Sequence, residues 1–216
     1  MGFLLDNCHF DRLTSEIINQ CQPYTCSKDS GIDSFFHVDN EDNFQDYHEE
    51  MMSNSHCLYT EEENPRMVCA FSLASSALRT DTLSNNKRNR FNRPIPNSKR
   101  RSQYPAILIG QLCIFDGFGQ KTFGHNIGDE MMDLIKTMVI DPENDNAARY
   151  IVVDAINKPE VIDYYRRNGF EFLFTSDEEE LAGLHGYNPE EFIENEETPK
   201  CKTRLMFFDL IVLRQS

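Results

Sequence analysis

Apolar residues recur along the chain with two different periods, and the period decides the element. From Ile127 the apolar positions Met131, Leu134, Ile135 and Met138 fall at i+4, i+7, i+8 and i+11, which predicts a helix with one buried stripe. Just upstream, "PAILIGQLCIF" is a largely continuous apolar run of strand length that opens with a proline, and it predicts a strand buried on both faces. "RYIVVDA" predicts a second central strand. "KPEVIDYYRRN" predicts a helix with Pro159 in its first turn and Gly169 closing its C-terminal end. "FEFLF" and "TRLMFFDLIVL" supply two last strands. Earlier in the chain, residues 41 to 52 form an acidic amphipathic helix, and "HCLYTEE" and "RMVCAFSLA" are strands around a turn at Glu63-Asn64-Pro65. Strands and helices in this order, with no internal repeat, predict an α/β protein.

Composition narrows the class. The 216 residues suit one domain spanning 1–216, with a basic linker at 79–104 and an acidic loop at 176–200. No apolar run approaches membrane length and MGFLLDNCHF lacks a basic region, so a soluble cytoplasmic protein with no membrane partner is expected. Gly2 is not a myristoylation site, because Asp6 stands where that motif requires Ser or Thr. Seven cysteines without a CxxC pair point to reduced thiols. The segment "DNEDNFQDYHEE" resembles a calcium loop, but Phe44 replaces the obligatory glycine and a solvated helix is expected. No histidine spacing suggests ligands, and no metal is predicted.

The net charge of −15 argues against a general nucleic-acid binder. That charge is unevenly placed. Arg79 to Arg101 holds eight basic residues against Asp81 alone, which leaves the remainder at −22. From Asp177 to Glu197 there are nine acids and no Lys or Arg. Both stretches are expected to be solvated loops.

Between the apolar strand and the striped helix lies "DGFGQKTFGHNIG". A helix begins here with backbone N–H groups that have no intrahelical partner and carry partial positive charge, a place for an anion. Gly124 and Gly128 let the backbone approach a diphosphate closely. The spacing matches neither a Walker loop nor a dinucleotide GxGxxG fingerprint, so a different phosphate-carrying cofactor is required.

The order "IGQLCIF", "FGHNIG", "IVVDAIN", "YRRNGF" resembles the GNAT N-acetyltransferase superfamily, over about Pro23 to Leu210 and most specifically in "VDAINKPEVIDYYRRNGFEFL". The resemblance implies the GNAT acyltransferase fold, a mixed central sheet with splayed middle strands flanked by helices. It implies acetyl transfer from acetyl-CoA to a primary amine of a protein or small molecule, by direct attack on the thioester. The backbone of Leu112, Cys113 and Ile114 would hold the pantetheine arm. The loop Phe123, Gly124, His125, Asn126, Ile127 and Gly128 would take the pyrophosphate. Asn157 and Tyr165 would lie beside the thioester, with Tyr165 as proton donor to the departing thiolate. Phe123 stands where the family prefers Arg or Gln, and Asn126 where it prefers glycine, although Asn can adopt the left-handed conformation. Asp116, Asp154, His125 or a water relay could deprotonate the amine. Cys113, in a buried strand, is a poor nucleophile.

The N-terminal half, "YTCSKDSGIDSFF" and "CLYTEEENPRMVCAFSLASSALR", resembles the GNAT branch that includes toxins acetylating aminoacyl-tRNA. On that alternative Arg88, Arg90, Arg93, Lys99, Arg100 and Arg101 would track tRNA phosphates. A third alternative is a non-catalytic, CoA-binding regulatory module. The reading leaves room for a homodimer and for an antitoxin partner.

Overall fold

A computed structural model of the chain describes residues 2–92, 102–144, 147–186 and 200–214. In chain order the elements begin α1 (Phe3–Asn7), β1 (Cys8–Arg12), α2 (Ser15–Gln20), α3 (Ser30–Phe35), α4 (Phe44–Glu49), β2 (Asn54–Thr60), β3 (Met67–Arg79) and α5 (Asn85–Asn92). They continue with β4 (Gln103–Ile114), α6 (Gln120–Phe123), α7 (Ile127–Ile140), β5 (Tyr150–Ile156) and α8 (Pro159–Arg167). The last are β6 (Glu171–Phe172), α9 (Asp177–His185), β7 (Thr203–Asp209) and α10 (Ile211–Arg214). The strands form one sheet in the order β1-β2-β3-β4-β5-β7-β6, a mixed α/β fold. The chain divides into two compact units, Met1–Ser75 with Ile109–Asn144, and Ser76–Leu108 with Asp145–Ser216.

In the first unit β1, β2 and β3 pair antiparallel, with Phe10 opposite Leu58 and Cys57 opposite Ala70. Their apolar side chains meet those of the short helices around Phe35, Phe36, Phe44, Met67, Cys113 and Phe115. The Tyr24 ring packs on Phe115 at 4.6 Å, and its hydroxyl donates to the Phe36 carbonyl at 2.8 Å. Helix α7 buries Ile127, Met131, Met132, Ile135 and Val139, a stripe rotated slightly from the expected one because Leu134 and Met138 are only half-buried.

In the second unit β5 and β7 pair antiparallel in continuous register, Tyr150 opposite Asp209 through Ile156 opposite Thr203. The core gathers Leu78, Leu83, Tyr104, Tyr150, Val152 and Phe174. Helix α8 has Pro159 at its start, and Gly169 follows its end at φ +83°.

Five expectations are corrected. Strand β4 buries Tyr104 and Ala106 in its first half and Ile109 and Cys113 in its second, so the buried positions switch from even to odd along the strand, and with Gln103, Pro105 and Gly110 exposed the burial on both faces is not continuous. The 79–104 stretch is not one loop. Phe91 of α5 packs on Phe207 at 4.9 Å and anchors a helix within it. The acidic 176–200 stretch opens as helix α9, capped by the Ser176 hydroxyl on the Glu179 amide. "FEFLF" yields only two strand residues, Glu171 and Phe172, and Leu173 and Phe174 continue the apolar run as buried core residues outside the strand. "TRLMFFDLIVL" leaves the sheet at Asp209, whose carboxylate accepts the Ile211 amide and turns the chain into α10.

Candidate functional site

Strand β4 ends with the Phe115 amide donating to the Val68 carbonyl at 3.0 Å, which ties this end to β3. Cys113 is buried, and burial pushes its thiol well above the ordinary cysteine range, so it is no nucleophile. Leu112 and Ile114 are half-buried on the other face. Asp116 then locks the next turn by accepting from the Ser27 amide at 3.2 Å and hydroxyl at 3.1 Å. A carboxylate held in a turn in this way is a structural group.

The longer loop contains one helical turn, α6, which Gly124 ends at φ +81° with its amide bonded to the Gln120 carbonyl at 2.9 Å. A side chain at 124 would meet nothing within 4 Å, so the backbone here faces open space. Helix α7 follows with Asn126 at its N-cap and no side-chain cap hydrogen bond. Asn126 has φ −91°, not the left-handed conformation the sequence allowed, because Gly124 makes that reversal two residues earlier. The Asn126 side-chain amide donates to the Asp129 carboxylate instead. Among the described residues, the amides of His125, Asn126 and Ile127 donate to no protein acceptor, whereas those of Asp129 and Glu130 reach the Asn126 carbonyl. Three consecutive open donors at the positive end of a 14-residue helix fit an anion.

No pattern in the chain signals what lies against this loop. The Phe3 ring meets Phe123 edge-on at 4.6 Å and His125 at 5.3 Å, and Phe123 also meets Phe118 at 5.1 Å. The Leu4 amide donates to Glu130 Oε2 at 2.8 Å. Phe3 and Leu4 form too short an apolar pair for periodicity to register.

In the second unit Tyr165 is 7% exposed, with Tyr164 at 5.1 Å and Phe170 at 5.3 Å. Of the two adjacent tyrosines it is the more buried. Burial raises its pKa, so the phenol stays protonated near neutrality. Its hydroxyl makes no hydrogen bond among the described residues. Asn157 is committed differently: its side-chain amide donates to Asp177 Oδ2 at 3.2 Å and to the Cys201 carbonyl at 2.9 Å.

Asp177 is the hub of a network that sequence reasoning missed. It also accepts the Cys201 amide at 2.8 Å and Arg204 Nη1 at 2.6 Å, while Arg204 Nε donates to Glu180 at 2.6 Å. Arg204 further reaches the Phe174 carbonyl and lies over the Phe172 ring. Every partner of the buried guanidinium is thus in place. Beside it Asn157, Ile162, Arg166, Phe172, Asp177 and Lys200 line a pocket of about 730 Å³. Asp154, a candidate base, is exposed on β5.

The basic stretch is partly spent on the fold. Arg88 donates to the carbonyls of Thr80, Asp81 and Leu83, so its guanidinium is not available along a phosphate track. Arg90 pairs with Glu171 at 3.1 Å and is largely exposed. Arg93, Lys99, Arg100 and Arg101 lie outside the described residues, as does most of the acidic stretch after Gly186.

No protein-family profile matches the chain, and no curated protein matches it in sequence. Solved structures do match it. A tyrosine-to-phenylalanine mutant of KacT aligns with TM-score 0.60 at 12% identity over 97% of this chain and 99% of that one. AtaT complexed with acetyl-methionyl-tRNA aligns with TM-score 0.60 at 11% identity, covering 97% and 98%. AtaTR bound with acetyl-CoA aligns with TM-score 0.59 at 13% identity, covering 97% and 98%. At such identities the likeness is one of fold, and it runs through nearly the whole of both chains. The chain therefore has the mixed α/β fold of KacT and AtaT.

Proposed function

We propose that this chain is an acetyl-CoA-dependent N-acetyltransferase. The observation that carries the reading is the start of α7, where the open amides of His125, Asn126 and Ile127 follow a left-handed Gly124 with no side chain capping the helix. These amides bind the pyrophosphate, Phe123 and Gly128 bracket them, and the backbone of Leu112 to Ile114 orients the pantetheine arm. Acetyl-CoA supplies the activated acyl group. A primary amine of a protein or small molecule attacks the thioester carbonyl directly, the C–S bond breaks, the Tyr165 hydroxyl gives its proton to the thiolate sulfur, and the proton lost from the amine passes through water to restore the phenol. The inert Cys113 thiol supports direct attack over an acyl-enzyme. The side-chain amide of Asn157 is held by Asp177 and Cys201, so its carbonyl oxygen is the end left for substrate.

Turnover of Tyr165→Phe tests the reading. Its kcat is expected to fall by about 10²–10⁴-fold while acetyl-CoA affinity is little changed, because proton donation matters only in the transition state. Wild-type turnover in that variant removes the role. Tight acetyl-CoA binding with no turnover on any amine assigns the chain to a non-catalytic CoA-binding module instead.

A second acceptor, the aminoacyl group of charged tRNA, is favoured by the likeness to AtaT complexed with acetyl-methionyl-tRNA and by the exposed Arg90. With Arg88 occupied, five cations remain: Arg90, Arg93, Lys99, Arg100 and Arg101. A filter-binding titration is then expected to give a slope of log K against log salt near about −4.5 on duplex RNA, by analogy with DNA. Undetectable or salt-independent binding eliminates this acceptor.

A further inference from the structure

The first turn of α7 carries two acids, Asp129 and Glu130, exactly where an anionic ligand would experience their repulsion. The fold engages both. Asp129 accepts the Asn126 side chain, and Glu130 accepts the Leu4 amide at 2.8 Å. The backbone of Gly2 lies so close to that second carboxylate that a Cβ there would meet Glu130 Oε2 at 2.5 Å. Leu4 itself is 1% exposed and fixes α1 in the unit, with α1 packed on α7 and β1. One residue away, Phe3 touches Phe123 and His125, which flank Gly124 in the loop.

We propose that the segment Gly2–Leu4 positions the pyrophosphate loop: Phe3 buttresses Phe123 and His125 from outside, and Leu4 occupies the Glu130 carboxylate. This rests on the reading of residues 123–128 as the acyl-CoA diphosphate site. Phe3 and Leu4 are positioning residues, acting through the loop. The arrangement yields effects of opposite sign at two adjacent contacts. Loss of the Phe3 ring loosens the donors and weakens binding. Neutralising Glu130 as Gln keeps an oxygen for the Leu4 amide, removes a negative charge from the first helical turn, and strengthens binding.

Calorimetric titration of acetyl-CoA into the full chain tests this. Phe3→Ala is expected to raise Kd about three- to tenfold, the range of one or two aromatic contacts. Phe3→Tyr, which retains the ring, restores wild-type Kd. Glu130→Gln lowers Kd about two- to fivefold, and the gain shrinks in high salt. Phe3→Leu keeps the apolar bulk and serves if the alanine variant does not fold. Unchanged affinity in both Phe3→Ala and Phe3→Leu overturns the proposal, and tighter binding overturns it in favour of a segment that covers the loop. Hydrogen exchange of the bonded Phe123 and Gly124 amides, which donate to the Gly119 and Gln120 carbonyls, is an arm independent of ligand in the free protein: Phe3→Ala speeds it, and unchanged protection overturns the positioning. If the wild type binds no acetyl-CoA, the proposed function falls, while the exchange arm still decides the role of Phe3.

Discussion

Helices α4 and α7 begin with the same pair of residues and use it in opposite ways. Each has Asn at the N-cap and Asp three residues on, Asn43 with Asp46 and Asn126 with Asp129. At α4 the pair forms a full capping box. The Asn43 side-chain oxygen accepts the Gln45 amide at 2.7 Å and the Asp46 amide at 3.4 Å, and Asp46 accepts the Asn43 amide at 3.1 Å. At α7 the Asn126 side chain is turned around, its nitrogen donating to Asp129 and its oxygen capping no amide. The first helix is closed by its own sequence, whereas the second leaves its leading donors open. A capping signature thus states which side chains are available, and the chain entering the helix decides whether they cap. At α7 that entry comes from the left-handed Gly124.

The largest expected effect breaks the open end itself. Gly124→Glu places a carboxylate in the space beside the three donors and strains a backbone at φ +81°, so acetyl-CoA affinity is expected to fall by on the order of a hundredfold or more. Gly124→Asn, which tolerates the left-handed region, retains binding within about tenfold. Undiminished affinity of the glutamate variant in a titration would falsify the pyrophosphate assignment. A smaller effect separates the two caps. Asn43→Ala is expected to lower unfolding free energy by about 1 kcal/mol, and Asn126→Ala by less than about 0.5 kcal/mol, because only the first removes a cap. Equal losses in chemical denaturation would erase the contrast between the helix starts.

The elements legible in the sequence are those whose pattern is long and punctuated. Helix α7 has four turns of periodic apolar positions, and β5 with α8 is bracketed by an apolar run, Pro159 and Gly169. Motif order likewise singles out the loop and Tyr165, whose roles belong to the proposed function. Elements that hold on by one side chain escaped. Helix α5 is polar except for buried Phe91, and α9 has nearly uniform acidity in its first turn with Glu180 buried against Arg204. Strand β1 buries only Cys8, so its pairing with β2 is invisible to a period-two search. The availability of site groups was equally hidden. Arg88 is occupied by carbonyls five to eight residues earlier, which a residue count does not reveal, and the clamping of Asn157 and the placing of Phe3 on the loop are contacts between residues distant in sequence.

Burial also acts on Glu180 in the second unit. Desolvation raises the Glu180 pKa, against the lowering influence of the Leu205 amide and the Arg204 guanidinium. Asp177, Glu180, Cys201 and Arg204 tie the start of α9 to the chain that re-enters at β7. In evolutionary terms this network is a clasp whose parts are bound to one another: losing Asp177, Glu180 or Arg204 alone leaves a buried charged partner uncompensated, so the three are expected to change together or not at all.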